Sequence, residues 1–178
     1  VTWPEPYSMQ GISEDDLIDF TPELKAEAIV AMEDYVMGGL FNPPIHANNA
    51  DGKYAAMNCP GGAGGVNITS PPVADPVSNT LYVSEHTACF TLRLIPGEEA
   101  DLLFPNSTGV TTSQFANGVP GATARPPRHP SGLPVWKPPY STIVAYDMNT
   151  GEKKFTIPTG ETPNRYKEAL EGYGVSEA

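Results

Sequence analysis

The sequence predicts a loop-rich, all-β fold with two short helices near the N-terminus. Three observations carry this. Apolar residues gather into short strand-like runs rather than into long helical faces. Glycine and proline punctuate those runs, with 17 glycines and 20 prolines in 178 residues. Two segments, residues 73–83 and 143–155, share one pattern: an apolar strand, an Asp-led turn and a second apolar strand. Repeated sheets of this kind with irregular connections suggest propeller blades.

The length suits one domain over residues 1–178. Glycine and proline make up about a fifth of the chain, under the roughly 25–30% that marks disorder. The net charge of −11 repels phosphate backbones and argues against nucleic acid as a partner. No apolar stretch is long enough to span a membrane. The chain opens at Val1 without a signal-peptide pattern and reads as a mature or excised piece. Cys59 and Cys89 flank one hairpin. They read either as a disulfide, which implies an oxidising compartment, or as two small unpaired core residues.

The elements follow in order. Residues 1–40 form an extended arm, broken by Pro4 and Pro6, and then the short helices. Ser13 ahead of Glu14-Asp15-Asp16 is an N-cap with acids in the first turn, opening a helix that ends near Phe20. Thr21-Pro22 starts a second helix. Leu24, Ala28, Met32, Tyr35 and Val36 recur at helical spacing, and Gly38-Gly39 stops it. Residues 41–97 are a first blade region. It begins with a loop whose Asn48-Asn-Ala-Asp-Gly cluster faintly resembles a calcium loop but lacks the closing glutamate. It continues through the glycine run Gly61-Gly-Ala-Gly-Gly into strands around Pro72-Val-Ala, Leu81-Tyr-Val-Ser and Ala88 to Ile95. Residues 98–135 are a long connection, of a length that is usually functional or belongs to something larger. Residues 136–178 are a second blade region and tail. Gly151 sits where a hairpin loop wants positive φ, and the stretch from Glu161 on is a frayed tail or a short helix.

The glycine run is the candidate site. Bare backbone lets another group approach closely, and Asn67 follows directly. It is not a phosphate loop: no Lys-Ser/Thr pair follows, and the next residues cannot open a helix. The three histidines, His46, His86 and His129, show no metal-ligand spacing, and no nucleophile elbow is present. The Asn67-Ile-Thr and Asn106-Ser-Thr sequons matter only in a eukaryotic secretory protein.

Four stretches together resemble the pyrroloquinoline quinone (PQQ) dependent dehydrogenases, nearest the membrane-type quinoprotein glucose dehydrogenase branch. They are Gly11-Ile-Ser-Glu-Asp-Asp-Leu-Ile-Asp-Phe-Thr-Pro-Glu-Leu-Lys-Ala-Glu-Ala, Gly61-Gly-Ala-Gly-Gly-Val-Asn with its Ala-Asp-Pro hairpin, Leu133-Pro-Val-Trp-Lys-Pro-Pro-Tyr, and Ala145-Tyr-Asp-Met-Asn-Thr-Gly-Glu-Lys-Lys-Phe. The resemblance runs from near residue 4 to about residue 165. It implies an eight-bladed β-propeller, of which this chain supplies two to three blades. It also implies PQQ as cofactor, with calcium held by ligands outside this chain. In that family the quinone takes a hydride from an alcohol or sugar hydroxyl, an aspartate acts as base, and electrons pass to an acceptor.

On this resemblance Gly64, Gly65 and Asn67 are the cofactor-binding residues. Asn67 would give a side-chain amide hydrogen bond, and the glycines would allow close packing; the alternative for Asn67 is a turn-stabilising role. No catalytic residue or metal ligand is assigned within the chain. The expected partners are the remaining blades or a partner chain, the substrate and the electron acceptor. The expected location is periplasmic or otherwise extracytoplasmic, possible membrane association coming through the rest of the enzyme. Two positions depart from the family pattern. Ile68 stands where tryptophan is usual, and Phe155 replaces the blade-docking tryptophan. Both leave room for a second reading, a non-catalytic β module used for binding or structure.

Overall fold

A computed structural model describes residues 3–61, 65–66, 71–95, 111–112 and 126–176. Its strands are β1 (Gly11–Ile12), β2 (Tyr35–Val36), β3 (Gly38–Gly39), β4 (Ile45–His46), β5 (Ala55–Asn58), β6 (Val73–Asp75), β7 (Thr80–His86), β8 (Phe90–Ile95), β9 (Thr111–Thr112), β10 (Ser141–Asp147) and β11 (Lys153–Pro158). Two α-helices, α1 (Pro22–Met32) and α2 (Asn164–Glu171), complete the described elements, with one 3-10 turn at Glu14–Asp16. The architecture is mostly strand, as the sequence predicts.

The two matching hairpins form one sheet rather than separate ones. Strands β6, β7, β10 and β11 make a four-stranded antiparallel sheet in the order β11-β10-β7-β6. After β7 the chain passes through β8, which pairs with β5 instead, and β10 then completes this sheet late in the sequence. The joint between β7 and β10 is a seven-residue ladder from Ser141↔His86 to Asp147↔Thr80. The pairing is set by pattern: Val83 and Val144 stand opposite each other and face one core. A bulge between Ala145 and Tyr146 shifts β11, and Lys154 there reaches Thr80 Oγ1 (2.7 Å) and Asp147 Oδ2 (3.5 Å).

One face of this sheet is covered and the other is open. The N-terminal arm crosses the first. Tyr146 Oη donates to Glu5 O (2.6 Å), and Lys153 Nζ donates to Glu5 Oε1 (2.6 Å) and to Pro6 O (2.9 Å). Strand alternation puts Val73, Tyr82, Ile143, Phe155 and Ile157 on the second face. Val73, Phe155 and Ile157 are exposed there. Phe155 lies 6.4 Å from Tyr82, centroid to centroid.

The second sheet is mixed, not blade-like. Strand β5 pairs parallel with β2 and antiparallel with β8, and β8 pairs parallel with β4. This corrects the reach of the N-terminal helix. α1 ends at Met32, and Tyr35 and Val36 pair in parallel with Ala55 and Ala56. Gly38 and Gly39 do not stop the helix; they pair with Ile12 and Gly11. A Cβ on Gly11 would lie 2.3 Å from Gly38 O, so close approach of two backbones demands glycine. The first predicted helix is likewise reduced to the turn at Glu14–Asp16. Beyond it Leu17 bridges Trp136, and Ile18 N donates to Val135 O (2.9 Å). Leu17 and Ile18 are fully buried in this extended form and join one core.

The main core lies under α1. Leu24, Ala28 and Met32 recur at four-residue spacing and bury against Leu17, Ile18, Met57, Leu133, Val135 and Leu170. Thr21 Oγ1 caps α1 by accepting from Leu24 N (3.2 Å). The connection is pinned to this core by buried His129. Its Nε2 lies 3.1 Å from Leu24 O and its Nδ1 2.6 Å from Ser131 Oγ. The Asn-rich loop closes on itself: the Asn49 amide donates to His46 O and Lys53 O and accepts from Lys53 N.

Cys59 and Cys89 form a disulfide, which decides between the two readings left open by the sequence. They stand just beyond the Asn58↔Phe90 pair, so the bond staples the end of β5 to the approach of β8. With a sequence separation of 30, its removal by Cys59→Ser/Cys89→Ser should cost about 3–4 kcal/mol in urea unfolding.

A second expectation concerns the hairpin turns. Asp75 accepts from Ser78 Oγ and Val77 N, and Asp147 accepts from Asn149 N. These bonds hold both carboxyls below the usual carboxylate range. A lowered folded pKa gives stability that is present above the unfolded value and lost as pH falls through the folded one. Thermal melts should therefore decline below about pH 4. An Asp75→Asn/Asp147→Asn double variant should show a shallower decline over the same window.

Candidate functional site

The glycine run enters the structure between two fixed points. Upstream, Cys59 is stapled to Cys89, and Gly61 packs where a Cβ would collide with the Phe90 ring (2.0 Å) and Ala88 O (2.6 Å). Downstream, Gly65 forms a two-way backbone bridge with His86. Gly65 N donates to His86 O (2.8 Å), and His86 N donates to Gly65 O (3.2 Å). Gly65 has φ +68°, the left-handed region that side chains avoid. The nearest atom to a Cβ there would be Pro60 Cγ at 3.4 Å, an ordinary contact. The backbone conformation, rather than crowding by the described residues, is thus what requires glycine at 65. Gly64 and Asn67, the other two sequence-predicted site residues, lie outside the described residues, as does Ile68.

Val66 follows Gly65 and packs against Val83, Val144 and Tyr146 on the covered face of the four-stranded sheet. Gly65 is therefore held by main chain and Val66 by its apolar side chain.

Two clefts flank it. The first, about 790 Å³, opens at the end of the sheet where Gly65 meets His86. Its walls include Phe20, His86, Trp136, Tyr140, Arg165 and Tyr166. Tyr140 meets Tyr166 edge to face at 5.9 Å, and the Arg165 guanidinium stacks on Tyr166 at 4.7 Å. Burial pushes the Tyr140 phenol well above the usual tyrosine range, so it stays protonated. The buried Trp136 indole N–H has no acceptor among the described residues. The second cleft, about 580 Å³, lies between the arm and the covered sheet face and is lined by Tyr7, Pro60, Val66, Leu81, Val83 and Tyr146, among others.

Residue-level reading of the sequence passed over Trp136, Tyr140 and Glu85. Trp136 and Tyr140 fall in Leu133-Pro-Val-Trp-Lys-Pro-Pro-Tyr, so the segment was visible but its role at the mouth of a cleft was not. Glu85 carries a subtler signal. It has the same strand parity as inward-facing Leu81 and Val83, so a charged residue stands at a core-facing position. It is 3% exposed.

The arrangement offers a glycine without a side chain, Gly65, beside an aromatic cleft with one arginine. That suits a flat ligand bearing carbonyl or carboxylate oxygens. Comparison with known proteins agrees. Residues 1–175 match the family described as PQQ: Glucose/ethanol/alcohol dehydrogenase, beta-propeller domain. The chain is also similar to a quinate/shikimate dehydrogenase (quinone) of Acinetobacter baylyi (strain ATCC 33305 / BD413 / ADP1), 24% identical over 157 residues. That match takes in 85% of this chain but spans only 18% of the relative's length. No solved structure matches. With the family pattern running through arm, glycine segment, sheet and α2 alike, the chain belongs to the β-propeller domain family of the PQQ-dependent dehydrogenases.

Proposed function

We propose that this chain is part of a PQQ-dependent dehydrogenase that oxidises an alcohol or sugar hydroxyl, and that it supplies one wall of the cofactor pocket. The observation that carries the reading is the Gly65–His86 bridge, which fixes the glycine segment at the open end of a four-stranded sheet. Gly65, Gly64 and Asn67 are the residues we assign to the cofactor. Bound there, the quinone supplies the acceptor for the hydride that leaves the alcohol carbon. The chain's own part is to orient. Asn67 offers an amide donor to a quinone or carboxylate oxygen, and the glycines leave a ring face unobstructed. Calcium, in this reading, is held by ligands outside this chain.

We further read the sheet as one blade of an eight-bladed propeller. Its support is the open face carrying Val73, Phe155 and Ile157, an apolar surface of the kind that a neighbouring blade buries. Phe155 fills the docking position through its ring, though it has no N–H to donate. The remaining blades, in the same or a partner chain, complete the pocket, and an electron acceptor takes the electrons onward. The Cys59–Cys89 disulfide supports an extracytoplasmic, oxidising location, periplasmic in a bacterium.

The test combines this chain with whatever copurifies with it, adds PQQ and calcium, and follows dye-linked oxidation of glucose, simple alcohols and quinate. Activity in the mixture and none in the chain alone is the expected result. Cofactor uptake by neither sample sinks the proposal and leaves the non-catalytic β module standing. Separately, Asn67→Ala should weaken PQQ binding about tenfold, the value of one lost hydrogen bond. Unchanged affinity removes Asn67 from the site.

A further inference from the structure

Glu85 is the most deeply buried acidic side chain among the described residues, and it sits one residue before the glycine bridge. Three hydroxyls donate to its carboxylate. Ser8 Oγ (2.8 Å) and Thr87 Oγ1 (3.0 Å) reach Oε1, and Thr142 Oγ1 (3.3 Å) reaches Oε2. No salt bridge to Glu85 forms among the described residues. The three donors come from three parts of the chain: the N-terminal arm, the turn after β7, and the facing strand β10. Ser141 adds a fourth contact by donating from Oγ to the Glu85 carbonyl (2.9 Å).

A buried carboxylate is costly unless its lone pairs are filled, and neutral hydroxyls are weaker partners than a cation. The position could hold a valine or leucine at lower cost, since Val83 and Val144 flank it on the same face. What an aliphatic side chain cannot do is tie three separate segments to one point. Here that point is the last inward-facing position of β7. The next residue, His86, holds Gly65 through both of its backbone groups.

We infer that Glu85 is a positioning residue: its hydroxyl cage fixes the end of β7 and thereby holds Gly65, which has no side chain, in place at the cofactor wall. The functional half of this inference rests on the proposed reading of the glycine segment as a cofactor wall. The structural half stands on the cage alone.

The two halves are tested together in the chain with its copurifying partners. Amide hydrogen exchange at Gly65 and His86 reads the cage, and PQQ titration reads its consequence. Three variants are compared with wild type. Glu85→Gln keeps the shape and can refill the cage, because hydroxyls both donate and accept. It should leave exchange and affinity within about threefold of wild type. Glu85→Leu keeps much of the volume but strands three hydroxyls. It should speed exchange at both amides about tenfold or more and weaken PQQ binding by a similar factor. Met32→Ala, in the distant core under α1, serves as a control for general destabilisation and should change neither locally.

Wild-type exchange at Gly65 and His86 in Glu85→Leu overturns the inference. So does Met32→Ala reproducing its effect, which would reduce Glu85 to a general stability residue. Should Glu85→Leu fail to fold, Thr142→Val removes one donor with the carboxylate in place. It should move both readouts in the same direction by a smaller factor, and no movement overturns the inference. If wild type takes up no PQQ, the cofactor reading fails by itself and the exchange rates still decide Glu85's role.

Discussion

Much of this structure depends on the covalent link between Cys59 and Cys89. It joins the end of β5 to the approach of β8 and encloses the glycine run and the first hairpin. Without it, those residues would be held by the Gly65–His86 bridge, the packing of Val66 and the sheet itself. A glycine-rich segment loses more backbone entropy on ordering than any other, so it needs support from outside itself. The disulfide supplies that from one end and the β7–β10 ladder from the other.

The ladder in turn needs the arm. Residues 3–8 lie over the inner face of the sheet, donating from Ser8 to Glu85 and accepting from Tyr146 and Lys153. A four-stranded sheet has two faces to cover, and the arm covers one. The other leaves Val73, Phe155 and Ile157 exposed, so the sheet is incomplete in its packing on that side. The large core under α1 and the Leu170 anchor of α2 give the chain a body to which that sheet is attached.

Much of the fold was legible because it rests on local chemistry. Thr21-Pro22 marks the start of α1, Gly151 adopts φ +76° where the hairpin needs it, and the strands around Leu81, Ser141 and Lys153 appear where alternation puts them. The misreadings have one cause. Tyr35, Val36, Gly38 and Gly39 fit a helix and its stop by spacing, and Leu17 and Ile18 fit a short helix by composition. Each pays its backbone hydrogen bonds instead to a partner distant in sequence, which no local pattern records. The grouping of the hairpins failed similarly. Two like hairpins signal repetition, but whether they form two sheets or one is settled by the pairing of Ser141 to Asp147 with Thr80 to His86.

The site divides along the same line. The sequence by itself determined the glycine run, its unsuitability for phosphate, the family, and so the chemistry to expect. Those follow from residue type and order, which bare backbone and a following Asn express directly. Only the tertiary structure decided that Cys59 bonds to Cys89, that Gly65 pairs with His86, that Trp136 and Tyr140 wall a cleft beside that pair, and that Glu85 gathers hydroxyls from three segments. These are contacts between residues far apart in the chain, and their energies depend on distance and burial, quantities that exist only once the chain has closed on itself.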